Sequence, residues 1–276
     1  MRRVLAGVVI SLLVPLVAGP GCRSGRGKAN DSIEVGGGDG SVHPDDAPPY
    51  EALATGPFRV LLFSRTVGFR HDSIPAAIAA LTDLQTEGGY IVEASEDPAQ
   101  FSAENLVRFQ VVVFLLTTGD VLADDQQAAF EAWIAGGGGF VGVHSAADTE
   151  YDWPFYGELV GAYFKAHPAV QPASVSIEVS DHAATRAIPS PWVHTDEWYD
   201  FSANPRPAVT VLATVDETSY TGGTMGADHP IIWAHATTGG GRALYTALGH
   251  TQQSYAEPSL RQHLVGALRW AARAVP

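Results

Sequence analysis

A chain of 276 residues, 46% of them hydrophobic, is long enough to bury one large core or two modest ones. Its formal net charge of -14 disfavours a nucleic-acid partner, because a phosphate backbone rewards clustered Lys and Arg, and leaves a neutral polar ligand such as a sugar open. The single cysteine, Cys22, excludes a disulfide within the chain.

The chain starts with a targeting pattern. Arg2 and Arg3 precede an apolar run, Val4 to Ala18, that is broken by Pro15 and short for a membrane span, so it reads as an export signal. Gly21-Cys22 is similar to the end of a bacterial lipoprotein signal, in which the cysteine is lipidated and becomes the new N-terminus. Gly19 stands where such signals carry Leu, so ordinary cleavage between Ala18 and Gly21 is the alternative. The expectation is an export signal over 1–22 and a disordered Gly/Pro/Asp-rich tether over 23–57. The folded domain then spans 58–276, periplasmic or at the cell surface, with Cys22 as its lipid anchor and only membrane contact.

In the domain, Phe58 to Phe63 reads as a strand and Ser73-Ile74-Pro75 opens a helix that Gly88-Gly89 stop. Tyr90 to Ala94 is a second strand and Phe101 to Phe109 a short helix. Val111 to Leu116 is apolar without alternation, as a strand covered on both faces must be. A helix over Asp124 to Ala135 leads to a strand at Phe140 to Val143, followed at once by His144, Ser145 and Asp148. Four strands separated by helices, three of them trailed by polar loops, predict a doubly wound, mainly parallel α/β sheet flanked by helices. Ligand loops then gather at the strands' carboxyl ends. Beyond this, Trp153 to Phe164 predicts a helix, Ala173 to Val179 a strand, and His182 to Pro207 an irregular excursion. Val209 to Val215, Ile231 to Ala236 and Arg242 to Leu248 add strands, the last two joined by a turn at Gly239 to Gly241, and Leu260 to Ala271 closes the chain with a helix.

His71, His144, Asp148, His167, Glu197, Asp228, His229 and His250 fall in loops. His144 and His250 stand out because both directly follow strands of one sheet, which puts them at one edge. Imidazole exchanges protons near neutral pH, and a carboxylate such as Glu197 or Asp148 can orient it. The same residues suit zinc or a similar divalent ion, with His144 and His250 as ligands, although no HxH, HxxxH or HExxH spacing supports it. Ser145 follows a strand as an elbow nucleophile does, but Val143 and Ala147 occupy the glycine positions of GxSxG.

The stretches GFRHDSIPAAI, VVVFLLTTGDVL, GGGFVGVHSAADTEYDWPFYGELVGAYFKAHP, HTDEWYDF, GGTMGADHPIIWAH and YTALGHTQQSY resemble the ThuA-like (trehalose utilisation) family from about Phe58 to Ala271. The resemblance implies a class I glutamine amidotransferase-like, flavodoxin-like fold with an added strand and loop excursion in its C-terminal half. It also implies that His144 stands where that fold carries its elbow cysteine, in Gly142-Val143-His144, and His250 where it carries its catalytic histidine. Glutamine hydrolysis is then lost with the thiol. His71, Asp148, Glu197, Asp228 and His229 match the family's polar motifs and are carried over as a pocket. The resulting expectation is a carbohydrate or an oxidised sugar derivative as ligand, His144 and His250 as acid and base, Glu197 or Asp148 orienting them, and His71, Ser145, Asp228 and His229 binding substrate. Trp153 or Trp198 would stack on a sugar face. The rival is a non-catalytic carbohydrate-binding or scaffold module on the same fold.

Overall fold

The computed structural model describes residues 56–276. The export signal, Cys22 and nearly all of the tether lie outside the described residues.

The first strand, β1 (Phe58–Phe63), leads through a polar loop to α1 (Ile74–Asp83), whose Pro75 sits in the first turn, where the missing N–H costs nothing. A short α2 (Gln85–Gly88) ends on Gly89 at φ 70°, a left-handed conformation that glycine takes without strain. Then come β2 (Tyr90–Ser95), α3 (Ala103–Leu106), β3 (Val111–Leu115), α4 (Asp124–Ala135) and β4 (Gly139–Val143). After α5 (Pro154–Val160) the chain forms a short β5 (Phe164–Ala166), then β6 (Gln171–Ile177), β7 (Trp192–Asp196) and β8 (Asp200–Phe201). The last elements are β9 (Thr210–Asp216), β10 (Pro230–Ala236), β11 (Arg242–Thr246) and α6 (Pro258–Ala271).

Nine strands make one sheet in the order β2-β1-β3-β4-β11-β10-β9-β6-β7. The part from β2 to β11 is parallel, and every residue of β3 and β4 is buried, which explains their unbroken apolar character. The part from β11 to β7 is antiparallel, and β6 alternates as a strand with one wet face does. The architecture is therefore α/β, as expected, with the added strands forming an antiparallel half. Three details differ from the sequence expectation. The helix predicted over Phe101 to Phe109 shrinks to α3, the one predicted from Trp153 stops at Val160, and the excursion contains the edge strand β7. Gly161, at φ 88°, ends α5 early.

The helices pack in two groups, α1 with α2 and α6, and α3 with α4. Phe114 of β3 meets Phe63, Phe101, Phe130 and Tyr156 at ring-centroid distances of 5.2–5.7 Å, so one aromatic cluster welds the sheet to α4 and α5. Because β1, β3, β4 and β11 are parallel, their carboxyl ends share an edge. There the loops are cross-linked: bridges join Thr66 to Thr118 and Gly119 to Thr149, and the Thr117 and Thr149 hydroxyls are 2.9 Å apart.

Two predictions follow from the packing of α6. Gly266 lies against the Ala183 carbonyl, with no room for a Cβ. Gly266→Ala should therefore destabilise the fold by about 1–3 kcal/mol in urea unfolding, opposite in sign to the gain expected from helix propensity. His263, fully buried on α6, donates from Nδ1 to the Ala184 carbonyl at 2.8 Å, while its Nε2 has no partner. Burial pushes this imidazole down to about 4. The unfolded chain takes up the proton first, so this residue's contribution to stability is intact above pH 6.5 and is lost as the pH falls towards 4. His263→Leu should cost about 1 kcal/mol at pH 8 through the unpaired carbonyl, and should give an unfolding midpoint that changes less between pH 6.5 and 4 than that of the wild type.

Candidate functional site

His144 occupies the turn where β4 ends. Its φ is 51°, an uncommon value for a side chain other than glycine, and it is held there by packing on all sides. The Tyr245 hydroxyl donates to its carbonyl at 2.8 Å, and its own Nδ1 donates to the Ala247 carbonyl at 2.7 Å. A carbonyl can only accept, so Nδ1 carries a proton, and in the neutral imidazole Nε2 presents a lone pair.

That lone pair faces two groups from distant parts of the chain. His250 Nδ1 lies 3.3 Å away and Glu197 Oε2 3.4 Å away, while His250 Nδ1 and Glu197 Oε2 are 3.0 Å apart. His71 completes the group, its ring centroid 4.9 Å from that of His144 and 5.2 Å from that of His250. The Ser145 hydroxyl is 3.3 Å from His71 Nδ1, and Glu197 Oε1 reaches His167 Nδ1 at 3.0 Å. Tyr199 lays its ring against His144 at 4.2 Å.

The electrostatics of these groups are set by burial and by each other. Burial pushes His71 down to about 3, helped by the positive potential of His144 and His250, so it is neutral through the physiological range. Burial alone would raise Glu197, but the His144 and His250 imidazoles beside it outweigh burial and hold the carboxyl well below the usual range. His250 moves the other way: burial opposes its charge, yet the Glu197 carboxylate keeps it above the ordinary histidine value. One ligand atom from each of His71, His144, Glu197 and His250 lies within 4.8 Å of the others, so these four could hold a metal ion.

Asp196 assembles the group. Its carboxylate accepts from the backbone N–H groups of Gly249 and His250 at 2.8 and 2.9 Å, and from that of Glu197 at 2.9 Å. Behind it stands His194, with Nε2 3.1 Å from Asp196 and Nδ1 3.1 Å from Glu257. Burial disfavours charge on His194, but the two carboxylates outweigh it and raise its pKa.

The remaining candidates divide. Asp148 lies at the rim, accepting from the Tyr151 hydroxyl at 2.7 Å, and burial raises its carboxyl. Four residues expected to bind substrate do not reach the cluster. Trp153 and Trp198 are buried, their indole N–H groups committed to Glu131 and to the Gln171 carbonyl, because core packing claimed both rings. Asp228 is a surface partner of Arg206. His229 is fully buried in another network, between Glu217 at 2.8 Å and the Tyr199 carbonyl at 2.9 Å, and with Asp200 and Glu217 it forms a second group of potential ligands. In the opposite direction, Asp196, His194 and Tyr199 were not singled out from sequence as parts of the site. Only the spacing in HTDEWY, with acceptor and imidazole two apart on a strand and so on one face, hints at them.

A family model described as trehalose utilisation (ThuA) matches residues 59–271. A search of curated proteins gives no match. Among solved structures, the chain is similar to a ThuA-like protein from Bacteroides uniformis, with 24% identity and a TM-score of 0.67 over 81% of this chain and 95% of that one. It is also similar to a ThuA-like protein from Parabacteroides merdae, with 19% identity and a TM-score of 0.65 over 78% and 90%. At these identities the likeness speaks to the fold. The family model covers most of the chain, and the protein belongs to the ThuA (trehalose utilisation) family.

Proposed function

We infer that the protein is an exported enzyme acting on a carbohydrate or an oxidised sugar derivative, and that it moves a proton to or from its substrate at the His144–Glu197–His250 group. The observation that supports this most is the convergence of three imidazoles and a carboxylate at the carboxyl edge of the sheet. Such a set is costly to bury, and the site keeps one open side, since the His250 side chain is about a quarter exposed. The family description, trehalose utilisation, supports a sugar as substrate class. The apolar run Val4 to Ala18 after Arg2 and Arg3, with Gly21-Cys22 beyond it, supports export and lipid anchoring.

A sugar needs an apolar face to lie on as well as polar groups. The buried tryptophans cannot supply it, but Phe69 can. It is 67% exposed, its ring stands edge-on to His71 with centroids 4.9 Å apart, and Val67 beside it is 57% exposed. Their loop is fixed rather than free: the Thr118 carbonyl accepts from Val67 and Gly68 N–H, and the Thr118 hydroxyl donates to the Phe69 carbonyl. Two apolar side chains held in water beside a buried polar group form a lip suited to the C–H face of a sugar ring.

The tests use a panel of disaccharides and oxidised glycosides, with product read by chromatography. His144→Ala and His250→Ala should each lower turnover by at least about 100-fold with the melting profile intact. Turnover unchanged in both variants, or saccharide binding with no product from any member of the panel, rejects the enzymatic reading. Phe69→Ala should raise KM by about 10-fold with kcat little changed, and Phe69→Tyr should restore it.

A further inference from the structure

We propose that His71, His144, Glu197 and His250 form a binding site for a divalent transition-metal ion of the zinc class. This rests on the same side chains as the proposed function, but not on a sugar being the substrate.

The ligand atoms stand at distances that fit one ion. Three donor atoms, His144 Nε2, His250 Nδ1 and Glu197 Oε2, form a triangle with edges of 3.0, 3.3 and 3.4 Å. Zinc bonded to nitrogen and oxygen at about 2.0–2.1 Å in a tetrahedral shell sets its ligands about 3.3 Å apart. The side chains already stand at the separation that a shared ion imposes, and His71 supplies a fourth ligand atom within 4.8 Å of the rest.

The cluster also holds too few protons for its contacts. With His144 neutral, its one ring proton is spent on the Ala247 carbonyl, so Nε2 offers only a lone pair to the Glu197 oxygen, which also only accepts. The single Nδ1 proton of His250 serves one of its two neighbours fully and not both. The edge between His144 and Glu197 is thus left with two lone pairs facing each other in a buried place. A cation at the centre satisfies all three edges at once.

The groups behind the cluster fit a metal as well. A metal-bound imidazole is normally oriented by a carbonyl or other acceptor on its far nitrogen, as the Ala247 carbonyl orients His144 and the Ser145 hydroxyl stands at His71. Imidazole and carboxylate together favour zinc and its neighbours over magnesium and calcium, which prefer all-oxygen shells. The long sequence separations, with ligands at 71, 144, 197 and 250, explain why no metal-binding spacing can be read along the chain.

The test uses the full chain, stripped with EDTA and titrated with zinc alone by calorimetry, with magnesium as the comparison. One zinc should bind per chain and magnesium should give no heat. Glu197→Gln and His250→Gln should each weaken zinc by at least about 10-fold, with circular dichroism melting showing that both remain folded. No zinc uptake by the wild type, or uptake equal in both folded variants, overturns the proposal. Stoichiometric uptake supports it whether or not the sugar panel yields product. Sugar turnover by stripped protein that takes up no zinc overturns the metal and leaves the sugar chemistry standing.

Discussion

The site depends on one buried carboxylate. Asp196 ends the edge strand β7, while Gly249 and His250 follow β11, four places away in the sheet. On a flat sheet four spacings are about 19 Å. Asp196 nevertheless accepts hydrogen bonds from both backbone N–H groups at 2.8–2.9 Å, so the twist of the antiparallel half and the loop after β11 together close that distance. Glu197, the next residue, is thereby delivered to His144 and His250. Strand direction makes this possible. The order β11-β10-β9-β6-β7 alternates four times, which leaves β7 pointing the same way as β4 and β11, with its carboxyl end at the ligand edge.

Burying such a carboxylate requires compensation, and the sequence supplies it in layers. Asp196 takes three backbone donors and the imidazole of His194, and His194 in turn is balanced at its other nitrogen by Glu257, which is partly in water. Charge is passed outward to solvent rather than left unpaired. Burial disfavours the ionised form of Asp196, yet these partners hold its pKa below the usual carboxylate range. Its stabilising effect is therefore present at neutral pH and is lost only as the pH falls below that range.

The parallel half was legible because it obeys local rules. Unbroken apolar runs at Val111 and Phe140 mark strands covered on both faces, and a polar residue following each at once marks the ligand edge, which correctly put His144 and His250 together. The antiparallel half was less so. β7, Trp-Val-His-Thr-Asp, alternates buried and exposed but is surrounded by prolines and polar aromatic residues, so its period is hidden. The two tryptophans failed as sugar platforms because composition does not say which aromatic ring the core will claim. Trp198 fills the interior, whereas Phe69, a residue with no polar handle, stands in water. Asp228 failed for a related reason: a carboxylate in a polar motif is as easily taken by a nearby guanidinium, here Arg206, as by a ligand.

The elbow at His144 is held against its own backbone strain. A turn with φ of 51° at a residue other than glycine stores strain of about 1–3 kcal/mol, which persists only where the surroundings over-determine it. Here they do: the Tyr245 hydroxyl fixes the carbonyl, the Ala247 carbonyl fixes the ring, and Tyr199 closes the remaining face. In an enzyme that uses an elbow for a nucleophile, the strain exposes a thiol or hydroxyl to the substrate. In this chain the only cysteine is Cys22, and the residue at the turn is an imidazole, fully buried, whose Nε2 points at His250 Nδ1 and Glu197 Oε2. The same backbone device that elsewhere presents an attacking atom outward presents a lone pair inward. Under the proposed function, the chemistry at this edge comes from the ion or the proton that the converged lone pairs hold, and not from a thiol or hydroxyl at the turn.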